Sequence, residues 1–188
     1  MSSSPIPPPI LSLPKSNTQI RPFHNTLSEA TTFSSHANSP LIARYMRNAF
    51  PQPYTHQDAH AWFTYTSTQT PLLDFAIADA SSNTAIGAVG LKPRSDVQHR
   101  TVEIGYWIGQ EYWGRGIGSE VVTAFTEWTF KEFPHVVRIE AGVFEGNEGS
   151  KRVLEKAGYG FEGRQRRAVE KNGVLLDVFV YAVVRDGV

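Results

Sequence analysis

Three alternating glycines in Gly114-Arg115-Gly116-Ile117-Gly118-Ser119 stand between an apolar segment ending at Ile108 and a helical pattern opening at Ile117. A chain that turns there into a helix aims the unpaired amides of the first turn at the loop, and the helix dipole favours negative charge in front of them. Glycine lets the main chain approach a phosphate closely, and Arg115 can add a guanidinium at the rim. The chemistry of such a turn is anion binding; tight strand-to-helix packing is its structural alternative. No Gly-x-x-x-x-Gly-Lys-Ser/Thr run occurs, which excludes a P-loop nucleotide triphosphatase. The dinucleotide fingerprint wants a small residue where Val121 stands, so a Rossmann oxidoreductase is not expected.

Other reactive chemistries are thin on the ground. The chain has no cysteine, which removes disulfides, thiolate metal sites and a cysteine-acyl intermediate. His56 and His60 lie four apart on an expected helix, but His-Gln-Asp-Ala-His lacks the glutamate of the zinc-protease motif, and no metal site is expected.

The 188 residues are 40% hydrophobic and 12% aromatic, enough for one domain with a sizeable core. Eighteen basic residues balance eighteen acidic ones, so no global field draws the chain to nucleic acid or to an anionic membrane, and neither is an expected partner. Any anion must be held locally. Pro5, Pro7, Pro8, Pro9 and Pro14 block helix and ladder alike, so residues 1–18 read as an extended, flexible proline-rich arm, with neither a signal peptide nor a membrane span. A cytoplasmic or nucleo-cytoplasmic location is expected.

The elements that must position the turn follow from periodicity. A short strand opens the ordered domain, residues 19–188, at Thr18–Phe23, and helical spacings follow at Leu27–Phe33, Leu41–Met46 and from Thr55 onward. Leu72–Ala78 and Ala85–Leu91 read as a hairpin, Thr101–Ile108 as a third long strand, and Ile117–Trp128 as a helix with one apolar stripe. Val136–Phe144 returns as a strand parallel to the one before the helix. A last helix covers Glu148–Lys156 and stops before Gly158, and strands at 159–170 and 174–184 are joined by Asn172-Gly173, a strong hairpin signal. The sum is an α/β protein with a mixed, mostly antiparallel sheet of about seven strands and helices on both faces.

Three blocks resemble the GNAT superfamily of N-acetyltransferases, and most closely its RimJ/RimL-like branch of ribosomal-protein alanine N-acetyltransferases. They are Glu103–Ile108 with Tyr112–Glu120, then Asn147–Tyr159, then Asp177 with Tyr181, and the likeness runs from about Ile20 to Arg185. The resemblance implies the acyl-CoA N-acyltransferase fold and a turn, Trp113, Gly114, Arg115, Gly116, Ile117, Gly118 and Ser119, that binds the pyrophosphate of acetyl-coenzyme A. Trp113 occupies the place of the family's Arg or Gln, which weakens a side-chain contact and leaves the backbone cradle. Tyr106, Trp107 and Ile108 would splay from the neighbouring strand and offer main-chain groups to the pantetheine and the thioester carbonyl. By the same likeness Asn147 contacts the cofactor. The family's tyrosine acid falls at Leu154, so Ser150 is the candidate acid, with helix capping as the alternative for both Asn147 and Ser150. Glu103 matches the base position, with Glu170 second and an ion pair with Arg100 or a neighbouring strand as the structural alternative.

These readings imply direct acetyl transfer from acetyl-coenzyme A to a primary amine, on a protein N-terminus or a small molecule. The alternative is a non-catalytic acyl-coenzyme A-binding protein of the same fold; a nucleotide-dependent enzyme is the remoter rival. A homodimer through the final strand pair is a further expectation.

Overall fold

The computed structural model describes residues 8–185 and Gly187. Among these residues eight strands form one sheet: β1 (Leu11–Leu13), β2 (Thr18–Arg21), β3 (Asp74–Asp79), β4 (Ala85–Pro93), β5 (Thr101–Ile108), β6 (Arg138–Phe144), β7 (Gly160–Lys171) and β8 (Val174–Val184). Their spatial order is β1-β2-β3-β4-β5-β6-β8-β7, and β5–β6 is the parallel pair in a sheet otherwise antiparallel. Five helices accompany it: α1 (Leu27–Ala37), α2 (Pro40–Ala43), α3 (His56–Ser67), α4 (Ile117–Glu132) and α5 (Glu148–Lys156). None of them is long and apolar enough to cross a membrane.

The alternation Asp74-Phe-Ala-Ile-Ala explains how the two faces differ. Phe75 and Ile77 point with Val89, Leu91 and Ile104 toward α4 and α5, where they meet Val121, Val122, Phe125 and Leu154. Ala76, Ala85 and Ala88 are small, so α1 and α3 come close on the opposite face and bring Phe33 against Trp107, with Phe63 packed on Phe33. Phe125 is fully buried and stacks on Trp128, a burial that contributes about 2 kcal/mol.

Local signals set the element ends. Thr55 and Asp58 form a reciprocal capping box on α3, and Thr26 caps α1. Asn172 and Gly173 both take positive φ, the pair of left-handed residues that a two-residue hairpin turn demands. Arg21 is buried at the end of β2, where Glu29 of α1 and Asn83 of the β3–β4 turn take its guanidinium hydrogen bonds.

The arm expected over residues 1–18 ends earlier than its prolines suggest. Leu11–Leu13 pair with β2 and add an eighth strand, because Leu13 is buried under α4 and the Lys15 amide donates to Glu120 Oε1 in the first turn of α4. The part of the arm at residues 1–7 lies outside the described residues.

Candidate active site

Strands β5 and β6 pair only at Thr101–Arg138, Val102–Ile139 and Glu103–Glu140. Beyond that point each strand stays with its outer neighbour, β5 with β4 as far as Ile108 and β6 with β8 as far as Phe144. The sheet therefore splits down its middle and leaves the Tyr106–Ile108 main chain without a strand partner on the β6 side. Gly105 forms part of the floor of this split, and no atom lies within 4 Å of where its Cβ would be. The cleft measures about 1610 Å³ and is lined by Tyr106, Trp107, Gly116, Asn147 and Ser150, among others. That exceeds the few hundred to about 1,000 Å³ of a pocket for one small ligand, and suits an extended ligand plus an acceptor.

The glycine turn opens onto the same cleft. Gly114 and Gly116 have φ of +78° and +79°, Gly116 is the N-cap of α4, and a Cβ at either would meet open space. Residues with β-carbons resist this conformation, and its result is a row of first-turn amides facing an uncovered hollow. Gly118 has a different role: its Cβ would lie 3.1 Å from Val153 Cγ2, so its absence lets α5 seat against the start of α4. Trp113 Nε1 donates to the Ile108 carbonyl at 2.7 Å, which locks the turn onto the end of β5. Arg115 donates to the Glu111 carbonyl at 2.8 Å and lies over the Tyr112 ring, so its guanidinium is turned back from the hollow. Ile117 is buried beneath the turn, and Ser119 lines the cleft.

Across the cleft, Asn147 caps α5 by accepting from the Ser150 amide at 3.1 Å, the structural alternative named for it. Ser150 instead turns its hydroxyl to Tyr106, with 2.8 Å between Oγ and the phenol oxygen. Burial pushes the Tyr106 phenol up to about 12, against a smaller lowering from Ser150. Tyr181 of β8 donates to Glu155 and anchors the far end of α5. Asp177, also on β8, is buried and accepts from Arg164 and from the Arg167 amide.

Glu103 is in the cleft with two guanidinium partners: Arg47 Nη2 at 2.5 Å and Arg94 Nη2 at 3.2 Å. Arg94 also holds Glu140 of β6 at 2.7 Å. The Arg100 pairing named as an alternative is not made; Arg100 Nε donates to the His135 carbonyl. Glu170 is exposed near the β7–β8 turn and lies outside the lining of the main cleft. His60 bonds Asn25 on the outer side of α3, and no group of residues able to hold a metal occurs among the described residues.

Sequence reasoning missed Arg47, Arg94 and the Tyr106 hydroxyl. The first two carry no local signal. Tyr106 did: it alternates with Ile104 and Ile108 on the face packed by α4 and α5, where a phenol needs a hydrogen-bonding partner.

A mixed sheet split between its central strands, with a left-handed glycine turn at a helix start beside the split, is the architecture of the acyl-CoA N-acyltransferases. The chain belongs to the GNAT family: residues 18–160 match the Acetyltransferase (GNAT) domain. It is 41% identical over 110 residues to the Probable N-acetyltransferase YjcK of Bacillus subtilis (strain 168), a stretch covering 58% of this chain and 60% of that relative. The chain thus spans less than two thirds of that relative's length. Its fold is similar to that of the ribosomal-protein-S5-alanine acetyltransferase from Vibrio fischeri, with TM-score 0.75 and 23% identity over 91% of this chain and 94% of the other. It is similar also to Mycobacterium smegmatis RimJ in complex with CoA-disulfide, with TM-score 0.76 and 19% identity over 89% and 81%.

Proposed function

We propose that the protein is an N-acetyltransferase that moves acetyl from acetyl-coenzyme A directly to a primary amine. The observation that carries this reading is the split between β5 and β6 opening beside the glycine turn, which is open at Gly114 and Gly116. Amides of Gly116, Ile117, Gly118 and Ser119 would cradle the pyrophosphate. Main-chain groups of Tyr106, Trp107 and Ile108 would align the pantetheine and face the thioester carbonyl as charge develops on its oxygen. The amine must shed a proton to attack, and Glu103, one of several carboxylates lining the cleft, would take it, directly or through water. Ser150 faces the leaving sulfur, with Asn147 beside it. A cytoplasmic location and a homodimer through the outer strand β7 belong to the same reading; sedimentation measures the second.

A second reading, an acyl-coenzyme A-binding protein without turnover, is favoured by the two arginines that occupy Glu103 and by Leu154 in the tyrosine place. The deciding experiment begins with thermal unfolding in acetyl-coenzyme A, coenzyme A, NAD and ATP, because a ligand of the folded state raises the midpoint by mass action. A shift confined to the coenzyme A pair supports the cofactor. Thiol release in a panel of alanine-started peptides, amino acids and polyamines then separates enzyme from binder. Absence of any shift at saturating acetyl-coenzyme A overturns both readings.

A further inference from the structure

We propose that Tyr106 is a positioning residue which, by donating to Ser150, directs the Ser150 hydroxyl proton at the sulfur that leaves during acyl transfer. The inference rests on the acetyl-transfer reading and deepens it.

Three of the serine hydroxyls in the helices turn back on their own backbone. Ser34, Ser35 and Ser67 each donate to the carbonyl three residues earlier, at 2.9, 2.7 and 2.7 Å. Ser150 does not. Its Oγ has one hydrogen-bond partner among the described residues, the Tyr106 hydroxyl at 2.8 Å, and its amide is already committed to Asn147 Oδ1. The Tyr106 oxygen also lies 3.4 Å from the Ser150 carbonyl, an acceptor toward which the phenol can only donate. The phenol carries one proton and can serve only one of these two acceptors, and the contact with Ser150 Oγ, at 2.8 Å, is much the shorter. Burial keeps the phenol protonated at physiological pH, so it stays able to donate. Ser150 Oγ then accepts from Tyr106 and retains its own proton with no acceptor among the described residues, at a position that lines the cleft.

The acidities decide what that proton does. In the transfer step the amine nitrogen forms a bond to the carbonyl carbon, the carbon–sulfur bond breaks and its electron pair goes to sulfur; the amine's proton goes to Glu103 or water. A thiol titrates near about 8.5, well below the buried Tyr106 phenol, so full proton delivery that leaves a phenolate behind is uphill. Ser150 and Tyr106 therefore keep their protons. They act as a two-link hydrogen-bond donor that stabilises the thiolate as it forms, and the thiolate takes its proton from solvent after release.

The test reads coenzyme A alone and needs no amine. Thiolate ultraviolet absorbance is followed against pH for coenzyme A bound to the full chain, in the wild type, Tyr106→Phe, Ser150→Ala, Ser150→Thr and the Tyr106→Phe/Ser150→Ala double variant. The expected result is a bound thiol more acidic than free coenzyme A, shifted up by about one pH unit in Tyr106→Phe and in Ser150→Ala. Ser150→Thr keeps the wild-type value, and the double variant moves no further than Ser150→Ala, because Tyr106 acts through Ser150. Wild-type titration in a folded Tyr106→Phe, or additive shifts in the double variant, overturns the proposal. Should Tyr106→Phe fail to fold, equal titration of Ser150→Ala and Ser150→Thr overturns it instead. Coenzyme A stabilisation of the wild type is checked first: without it the acetyl-transfer reading itself fails, whereas stabilisation with unmoved titrations removes the donor pair alone.

Discussion

Arg47, on the segment between α2 and α3, places Nη2 2.5 Å from Glu103 Oε1 on β5, across a separation of 56 residues in the chain. A guanidinium from a loop thus covers the carboxylate that the GNAT likeness marks as base. The Arg47 side chain is 58% exposed, so the pair adds less than about 1 kcal/mol to stability. Arg47→Ala is expected to leave the unfolding midpoint almost unchanged and to preserve turnover. Glu103→Gln is expected to lower kcat about 100-fold while coenzyme A still stabilises the chain. Thiol-release kinetics across pH, run beside thermal unfolding, check both; wild-type kinetics in Glu103→Gln would remove Glu103 from the reaction.

Gly116 combines a φ of +79° with open space above its α-carbon. Gly116→Ala must strain the helix start by about 1 kcal/mol and sets a methyl group in the hollow that the amides face. Its expected signature is a small drop in midpoint together with at least a tenfold loss of coenzyme A affinity, measured by calorimetry. A stability loss with unchanged affinity would move the anion away from this turn.

Gly118 is expected to behave differently, because what it admits is Val153 and not a ligand. Gly118→Val should destabilise the chain by forcing α5 away from α4, and Val153→Ala in the same chain should restore part of the loss. A double-mutant cycle in urea measures the coupling, expected at about 1 kcal/mol or more. Strict additivity would mean that the two residues do not share the contact.

Asp177 and Asp74 are expected to respond to acid with opposite signs. The Arg167 amide, followed by Arg164, holds Asp177 below the ordinary carboxylate range, so its contribution is present above that range and is lost as pH falls through it toward the folded value. Burial raises Asp74, opposed in part by Gln69, so its charged form opposes folding at neutral pH and its protonation on acidification favours the fold. Asp177→Asn should flatten the loss of stability between neutral and acid pH; Asp74→Asn should stabilise at neutral pH and steepen that loss. Urea unfolding at several pH values reads both slopes, and equal slopes in all three proteins would contradict the assignment.

Short-range physics was enough for most of the framework. The alternation in Asp74–Asp79, the apolar stripe of α4, the glycines around Gly116 and the Asn172-Gly173 turn each encode their conformation within a few residues, so sequence alone determined the order of the elements after β1, the β5–α4–β6 crossover and the glycine turn into α4. It did not determine β1. Three residues between prolines have too weak a pattern, and Leu11–Leu13 become a strand only because β2 and α4 are there to receive them. The side-chain partnerships of the cleft were beyond it for the same reason. Tyr106 meets Ser150 across 44 residues and Glu103 meets Arg47 across 56, and these pairs exist only after the split sheet has brought α5 and the α2–α3 segment to the two sides of β5. Periodicity tells each residue which face it occupies, and packing alone decides what waits for it there.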